Sequence, residues 1–355
     1  KTKTVTKPNT YSGTFTNGTG STVEFQGDGD SATDSFTFSS FATAYHHLTM
    51  NSTDGASDTF AQGAAVTVAG NYTLTAGTHA SKGNNLTVTG TSTVQSGGVF
   101  ELYGAETLPT LTLNSGSTVK YTGDGDSAND SYTLNAWTYR HLTIAGTDAG
   151  DSFAATGTLT LGGNFTQSGG TFSAPTTLNV PGNFSRTGGT FTHNSGTVAL
   201  TGTGQSVFGS TTFSALSKTV SSADTLTFEA GSTQTVAGAL TLTGAAGQLL
   251  SLRSSSTGSV WNINPQSTWT VSYVDVKDST NQAASRILPT NSVDSGNTTN
   301  WFPPPTATPT STPTTTPTSS NTPTITPTFT STGTDRKSTR LNSSHTDISR
   351  MPSSA

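Results

Sequence analysis

A block of this chain returns 19 residues later with the same chemistry at the same places. Leu159, Leu161, Asn164, Phe165, Gly170 and Phe172 recur as Leu178, Val180, Asn183, Phe184, Gly189 and Phe191, and Val198 opens another unit at nearly the same spacing. A longer repeat encloses this one. Gly27-Asp28-Gly29-Asp30-Ser31-Ala32-Thr33-Asp34-Ser35-Phe36 returns 96 residues on as Gly123-Asp124-Gly125-Asp126-Ser127-Ala128-Asn129-Asp130-Ser131-Tyr132. The copy continues: Tyr45-His46-His47-Leu48 is matched by Tyr139-Arg140-His141-Leu142, and Val66 to Tyr72 by Leu159 to Phe165. A unit this short cannot bury an apolar face alone, so it must stack on its neighbours. An extended residue rises roughly 3.3 Å, so about 20 residues trace one flattened or triangular coil, and such coils stack about 4.8 Å apart as parallel strands. The predicted fold is therefore an all-β parallel β-helix, or β-solenoid, with coils of about 19–20 residues covering residues 1–302.

Local pattern agrees. Leu86-Thr87-Val88, Leu111-Thr112-Leu113, Leu240-Thr241-Leu242 and Val271-Ser272-Tyr273-Val274 alternate apolar and polar residues, with Gly and Ser-Gly turns between such runs. A string of antiparallel sandwich modules would explain the long repeat but not the short one nested inside it. Tight hairpin turns of the Asn-Gly or Asp-Gly kind are also few.

Composition narrows the function classes. Only 30% of residues are hydrophobic and 10% charged, too few of either for an ordinary compact α/β enzyme. Regularly placed Val, Leu, Phe and Thr argue equally against a disordered chain. The net charge is −5 and no basic cluster precedes residue 335, so no nucleic-acid partner is expected. No apolar run reaches the length of a membrane span. With no cysteine, disulfides, thiol catalysis and thiolate metal sites are excluded. The chain begins at Lys1 without a signal-peptide pattern and reads as a fragment whose export signal lies upstream.

Beyond Phe302 the character changes. Eight of the 15 prolines fall between Pro303 and Pro327, in Thr-Pro steps that cannot pair as strands, so residues 303–334 are predicted to be an extended linker. Residues 335–355 differ again. Asp335-Arg336-Lys337-Ser338-Thr339-Arg340-Leu341-Asn342-Ser343-Ser344-His345 and Ser349-Arg350-Met351-Pro352-Ser353-Ser354-Ala355 resemble the conceptual translation of a short-read sequencing adapter, separated by three residues where a variable index would fall. That tail is set aside as artefact, and its basic residues are not read as a binding patch.

The sharpest candidate chemistry is the repeated acidic motif. Asp28, Asp30 and Asp34, and their copies Asp124, Asp126 and Asp130, are hard oxygen donors on glycine-containing loops that could wrap Ca²⁺. The motif lacks the EF-hand order and the nonapeptide of calcium-binding β-rolls. Turn chemistry, with each carboxylate bonded to a nearby N–H, is the competing reading. Asp54 and Asp58 correspond to Asp148 and Asp151 with the spacing changed by one, which reads as solvated loop acids. Tyr45-His46-His47 keeps only one histidine in its copy, so packing rather than zinc accounts for it. Asn71, Asn164 and Asn183 share one coil position, where they either form a hydrogen-bonded ladder or serve as turn residues. Catalysis is not expected: between Phe153 and Lys218 the only ionised side chain is Arg186, whereas glycoside hydrolysis wants two facing carboxylates. Thr-x-Thr pairs would suit an ice-binding array, but outward Thr is also the ordinary polar strand residue.

On these residues, and on the ending Trp261-Asn262-Ile263-Asn264, Val271 to Asp278 and Ser292 to Trp301, the chain resembles the β-strand-repeat, right-handed parallel β-helical surface proteins of bacteria, which are adhesin-like. The resemblance implies a right-handed coil, export, surface display and a scaffold or adhesive role, with surface glycans or other extracellular matrix components as partners. It carries over no functional residue. The alternative expectation is a carbohydrate-binding module of a secreted polysaccharide-acting protein, which would need Trp137, Tyr139 and Phe41 on one outer face.

Overall fold

The computed structural model describes residues 2–6, 18–27, 32–39, 44–53 and 58–304, with side chains from residue 18 onward. The linker and adapter-like tail beyond Pro304, together with Asp28, Asp30, Phe41 and Asp54, lie outside the described residues. Among the described residues every regular element is a β-strand, and every pairing between those strands is parallel. The chain is a parallel β-solenoid. Its strands fall on three faces visited in turn, which we call faces one, two and three. Thirteen strands stack on face three, from Ser35–Phe38 through Gly98–Leu102, His141–Ala145 and Leu250–Ser254 to Val293–Asp294. Face two carries Thr22–Gln26, His47–Asn51 and, further on, Thr158–Thr160 to Thr268–Ser272. Face one carries Val66–Val68, then Ser131–Thr133 to Thr190–Thr192, then Thr211–Phe213 to Thr298–Thr299.

The 19-residue spacing sets the register it predicts. Leu159 pairs with Leu178, Phe165 with Phe184 and Phe172 with Phe191. Alternation turns every second side chain inward, so like lands on like: Phe165 and Phe184 stack at 5.1 Å, and Phe172 and Phe191 lie 5.9 Å apart. One continuous apolar cluster runs from Val23 to Trp301. Its far end is closed by aromatic rings, Trp261 lying flat on Phe228 at 3.9 Å and meeting Trp301 edge-on at 5.9 Å. Both tryptophans are fully buried, as the last coil of a stack requires if its apolar face is not to meet water.

Coil length is not constant. Along face three the step between paired residues ranges from 18 (Asp275 to Val293) to 26 (Asp224 to Leu250). The extra residues leave at corners, where glycine or another residue with positive φ turns the chain; Gly189 (φ 69°) sits so close to Gly170 that any side chain there would strike backbone.

The long repeat therefore does not return to its starting face. Thr22–Gln26 lies on face two, but its copy Thr118–Tyr121 lies on face three. Likewise Ser35–Phe38 is on face three and its copy Ser131–Thr133 on face one. Local structure survives this rotation. His47–Asn51 and His141–Ala145 both pair with the next coil through the same one-residue irregularity, at Met50/Asn51 and Ile144/Ala145. The repeat spans four whole coils plus one face, so the strands that flank the two acidic motifs lie on different faces.

Candidate functional site

The second acidic loop leaves Thr118–Tyr121 on face three and enters Ser131–Thr133 on face one. Positive φ at Gly123 (67°), Gly125 (73°) and Ser127 (72°) folds it tightly. Asp126 behaves as a turn residue, its Oδ1 accepting the Ala128 N–H at 2.7 Å. Asp124 Oδ1 accepts the Asp126 N–H at 3.5 Å, and Asp130 Oδ2 accepts the Tyr132 hydroxyl at 3.4 Å. Asp124, Asp126 and Asp130 can each offer one oxygen such that all three lie within 4.8 Å of one another. In the first loop only Asp34 is described, and its backbone N–H donates to Asp58 Oδ1 at 3.3 Å.

That contact corrects the reading of Asp58 and Asp151 as solvated loop acids. Both are fully buried. Asp151 repeats the contact, with Oδ1 accepting the Asp130 N–H at 3.1 Å. Each residue is the last before a strand, Thr59–Gln62 or Ser152–Ala154, and its carboxylate packs on the preceding coil, at Asp34 or at Asp130 and Gly123. Alignment from the strand side (Asp58-Thr59-Phe60 with Asp151-Ser152-Phe153) would have revealed the equivalence, because the missing residue lies upstream in the loop.

Asp124, Asp148 and Asp151 form a second cluster, again with one oxygen from each within 4.8 Å. Asp148 also accepts the Ser127 N–H at 3.1 Å, joining the two loops. Burial pushes the Asp151 carboxyl above the ordinary carboxylate range; the Asp130 N–H opposes this, and the charges of Asp148, Asp124 and Asp130 add to it.

The other singled-out polar residues hold the scaffold. Asn71, Asn164 and Asn183 do not pair side chain to side chain. Each side-chain oxygen accepts a backbone N–H from the next coil: Asn71 from Thr91 at 3.1 Å, Asn164 from Asn183 at 2.8 Å, Asn183 from Ser206 at 2.8 Å. The retained histidine of the Tyr-His motif starts the same column, His47 Nδ1 accepting from Asn71 N and His141 Nδ1 from Asn164 N. Charge-poor sequence also hides a buried ion pair, Lys218 Nζ to Asp224 Oδ2 at 2.8 Å, with Lys218 also donating to Gly202 O and Gln205 Oε1. Tyr139 is buried, its hydroxyl 2.7 Å from that of Tyr121, and Trp137 packs against Tyr139 and Phe100. Tyr139 thus belongs to the core, while Trp137 is half-buried against it. Against known proteins, the chain matches no family model, no curated protein and no solved structure.

Proposed function

We propose that the chain is a non-enzymatic scaffold, exported and displayed outside the cell or on its surface, with an adhesive or spacing role. The observation that carries this reading is the uninterrupted ladder. Thirteen stacked strands at about 4.8 Å per step make a column roughly 58 Å tall, and the inward positions along it are spent on apolar rungs and corner caps. Outward strand positions such as Thr160, Thr190 and Thr192 are small and neutral. Such a surface stays hydrated without selecting a charged partner, while parallel pairing satisfies the backbone between coils.

Coil deletion tests the scaffold directly. Removing residues 165–183 joins Asn164 to Phe184 and reproduces the Asn183–Phe184 junction it replaces. The expected result is a folded chain whose column, read by small-angle X-ray scattering, is shorter by about 5 Å. Neither protein should turn over a panel of polysaccharides, and antibody should label intact cells that make the full-length protein. Turnover abolished by Asp124→Asn, or labelling only after lysis, would overturn the proposal.

A further inference from the structure

Buried carboxylates other than Asp151, among the described residues, are held by donors or by a cation. Glu106 accepts from Ser81 Oγ and from the Gly83, Tyr103 and Gly104 N–H groups. Asp278 takes Gly258 N–H and Asn297 Nδ2. Asp224 takes the Gly204 and Thr225 N–H groups and the Lys218 ammonium. In the first copy of the long repeat, Asp58 uses both oxygens, Oδ1 on the Asp34 N–H and Oδ2 on the Ser52 hydroxyl at 2.9 Å.

Among the described residues two buried carboxylate oxygens accept no hydrogen bond, Asp224 Oδ2 and Asp151 Oδ2; the first is paired with the Lys218 ammonium at 2.8 Å, the second has no ion pair. The residue that should supply Asp151 with a donor, the counterpart of Ser52, is Gly146. Nor can Gly146 regain a side chain cheaply, since a Cβ there would come within 2.7 Å of Gly170 Cα. Asp151 Oδ2 instead lies over Gly123, where any Cβ would collide with it, and Gly123 leads directly into Asp124. The orphaned oxygen thus sits at the glycine preceding Asp124, in the loop where Asp124, Asp148 and Asp151 cluster.

An uncompensated buried carboxylate beside two others is costly. A hard divalent cation would resolve both the desolvation and the repulsion. Oxygens no more than 4.8 Å apart fit on a coordination sphere of radius about 2.4 Å, the Ca–O distance, whereas Mg²⁺ needs the tighter octahedron at about 2.1 Å. We propose that the second acidic corner binds one Ca²⁺, with Asp151 as the inner ligand and Asp124 and Asp148 as the outer ones. Water completes the shell. The ligand set combines one residue of the repeated motif with the two aspartates of the following loop, and its unsatisfied oxygen follows from the Ser-to-Gly difference between the copies.

The test uses the full chain stripped with EDTA. Calorimetric titration with calcium chloride should give one site with Kd of about 10⁻⁴–10⁻³ M, the range of extracellular calcium modules, and Tm should rise in calcium more than in equimolar magnesium. Asp124→Asn and Asp148→Asn, both at the surface, should each weaken binding at least tenfold with unchanged circular dichroism. Asp58→Asn, in the copy whose carboxylate is already satisfied, should leave the calcium response intact. Three results would each overturn the proposal: no heat and no Tm shift at ~10 mM calcium, an equal response to magnesium, or undiminished binding in the Asp124→Asn/Asp148→Asn double variant.

Discussion

His79 makes a quantitative prediction about acid. It is fully buried inside face three, between Phe38 at 5.4 Å and Phe100 at 5.0 Å. Its Nδ1 lies 2.6 Å from the Tyr72 hydroxyl and its Nε2 3.1 Å from Gln62 Oε1. Gln62 spends its amide on Ala64 O and Asn85 O, so its oxygen faces the ring and can only accept. Nε2 therefore carries the proton, Nδ1 accepts from Tyr72, and the imidazole is neutral. Burial pushes the His79 pKa down to about 3. For a base whose folded pKa is depressed, the unfolded chain binds the proton more tightly. The stabilisation is full above the unfolded value near 6.5 and is lost as pH falls below it, down to the folded value. Between pH 7 and pH 5 the loss from this one group is about 2 kcal/mol. The second copy supplies the control: Gln62, Tyr72 and His79 correspond to Ala155, Phe165 and Phe172, whose two rings pack at 4.9 Å without a polar atom. Denaturant unfolding at pH 7 and pH 5 should show the native chain losing about 2 kcal/mol more than the triple variant Gln62→Ala/Tyr72→Phe/His79→Phe. Taking the difference removes the opposite contribution of Asp151, whose raised pKa adds stability as pH falls. Equal pH slopes in the two proteins, or an NMR titration of the His79 ring near pH 6.5, would refute the reasoning.

Other consequences are as direct. Phe184 touches Phe165, Phe191 and Phe213, so Phe184→Ala should cost about 3–5 kcal/mol in chemical unfolding, whereas Thr190→Ala on the exposed side of the same coil should change little. Lys218→Met strands Asp224 in the interior and should cost about 3–5 kcal/mol, with much of it recovered when Asp224→Asn is added. Burial works to raise the Asp224 pKa, but Lys218 and the Gly204 and Thr225 N–H groups overcome it and hold the carboxyl below its usual value. Its stabilisation is present above about pH 4 and lost as pH falls through the depressed folded value, so acid melting curves of Lys218→Met should lack that component.

The spacing of Leu159, Phe165 and Phe172 against Leu178, Phe184 and Phe191 was enough to determine architecture and local register, because parallel stacking places residues one coil apart directly over each other. Turn residues and the apolar alternation were legible for the same reason: both act within a few residues. Around the column, position is a sum over every preceding coil. With coils of 18 to 29 residues that sum cannot be read from one repeat, and so the strands flanking the acidic motif recur in sequence while changing face in space. The fate of each aspartate was likewise decided by the coil it packs on. Asp58 and Asp151 look like loop acids in one dimension, yet stacking buries both. Whether the buried oxygen meets a hydroxyl, as Asp58 does at Ser52, or lies over the bare backbone of Gly123, as in Asp151, depends on how each loop packs on the coil before it, and only the tertiary structure sets that.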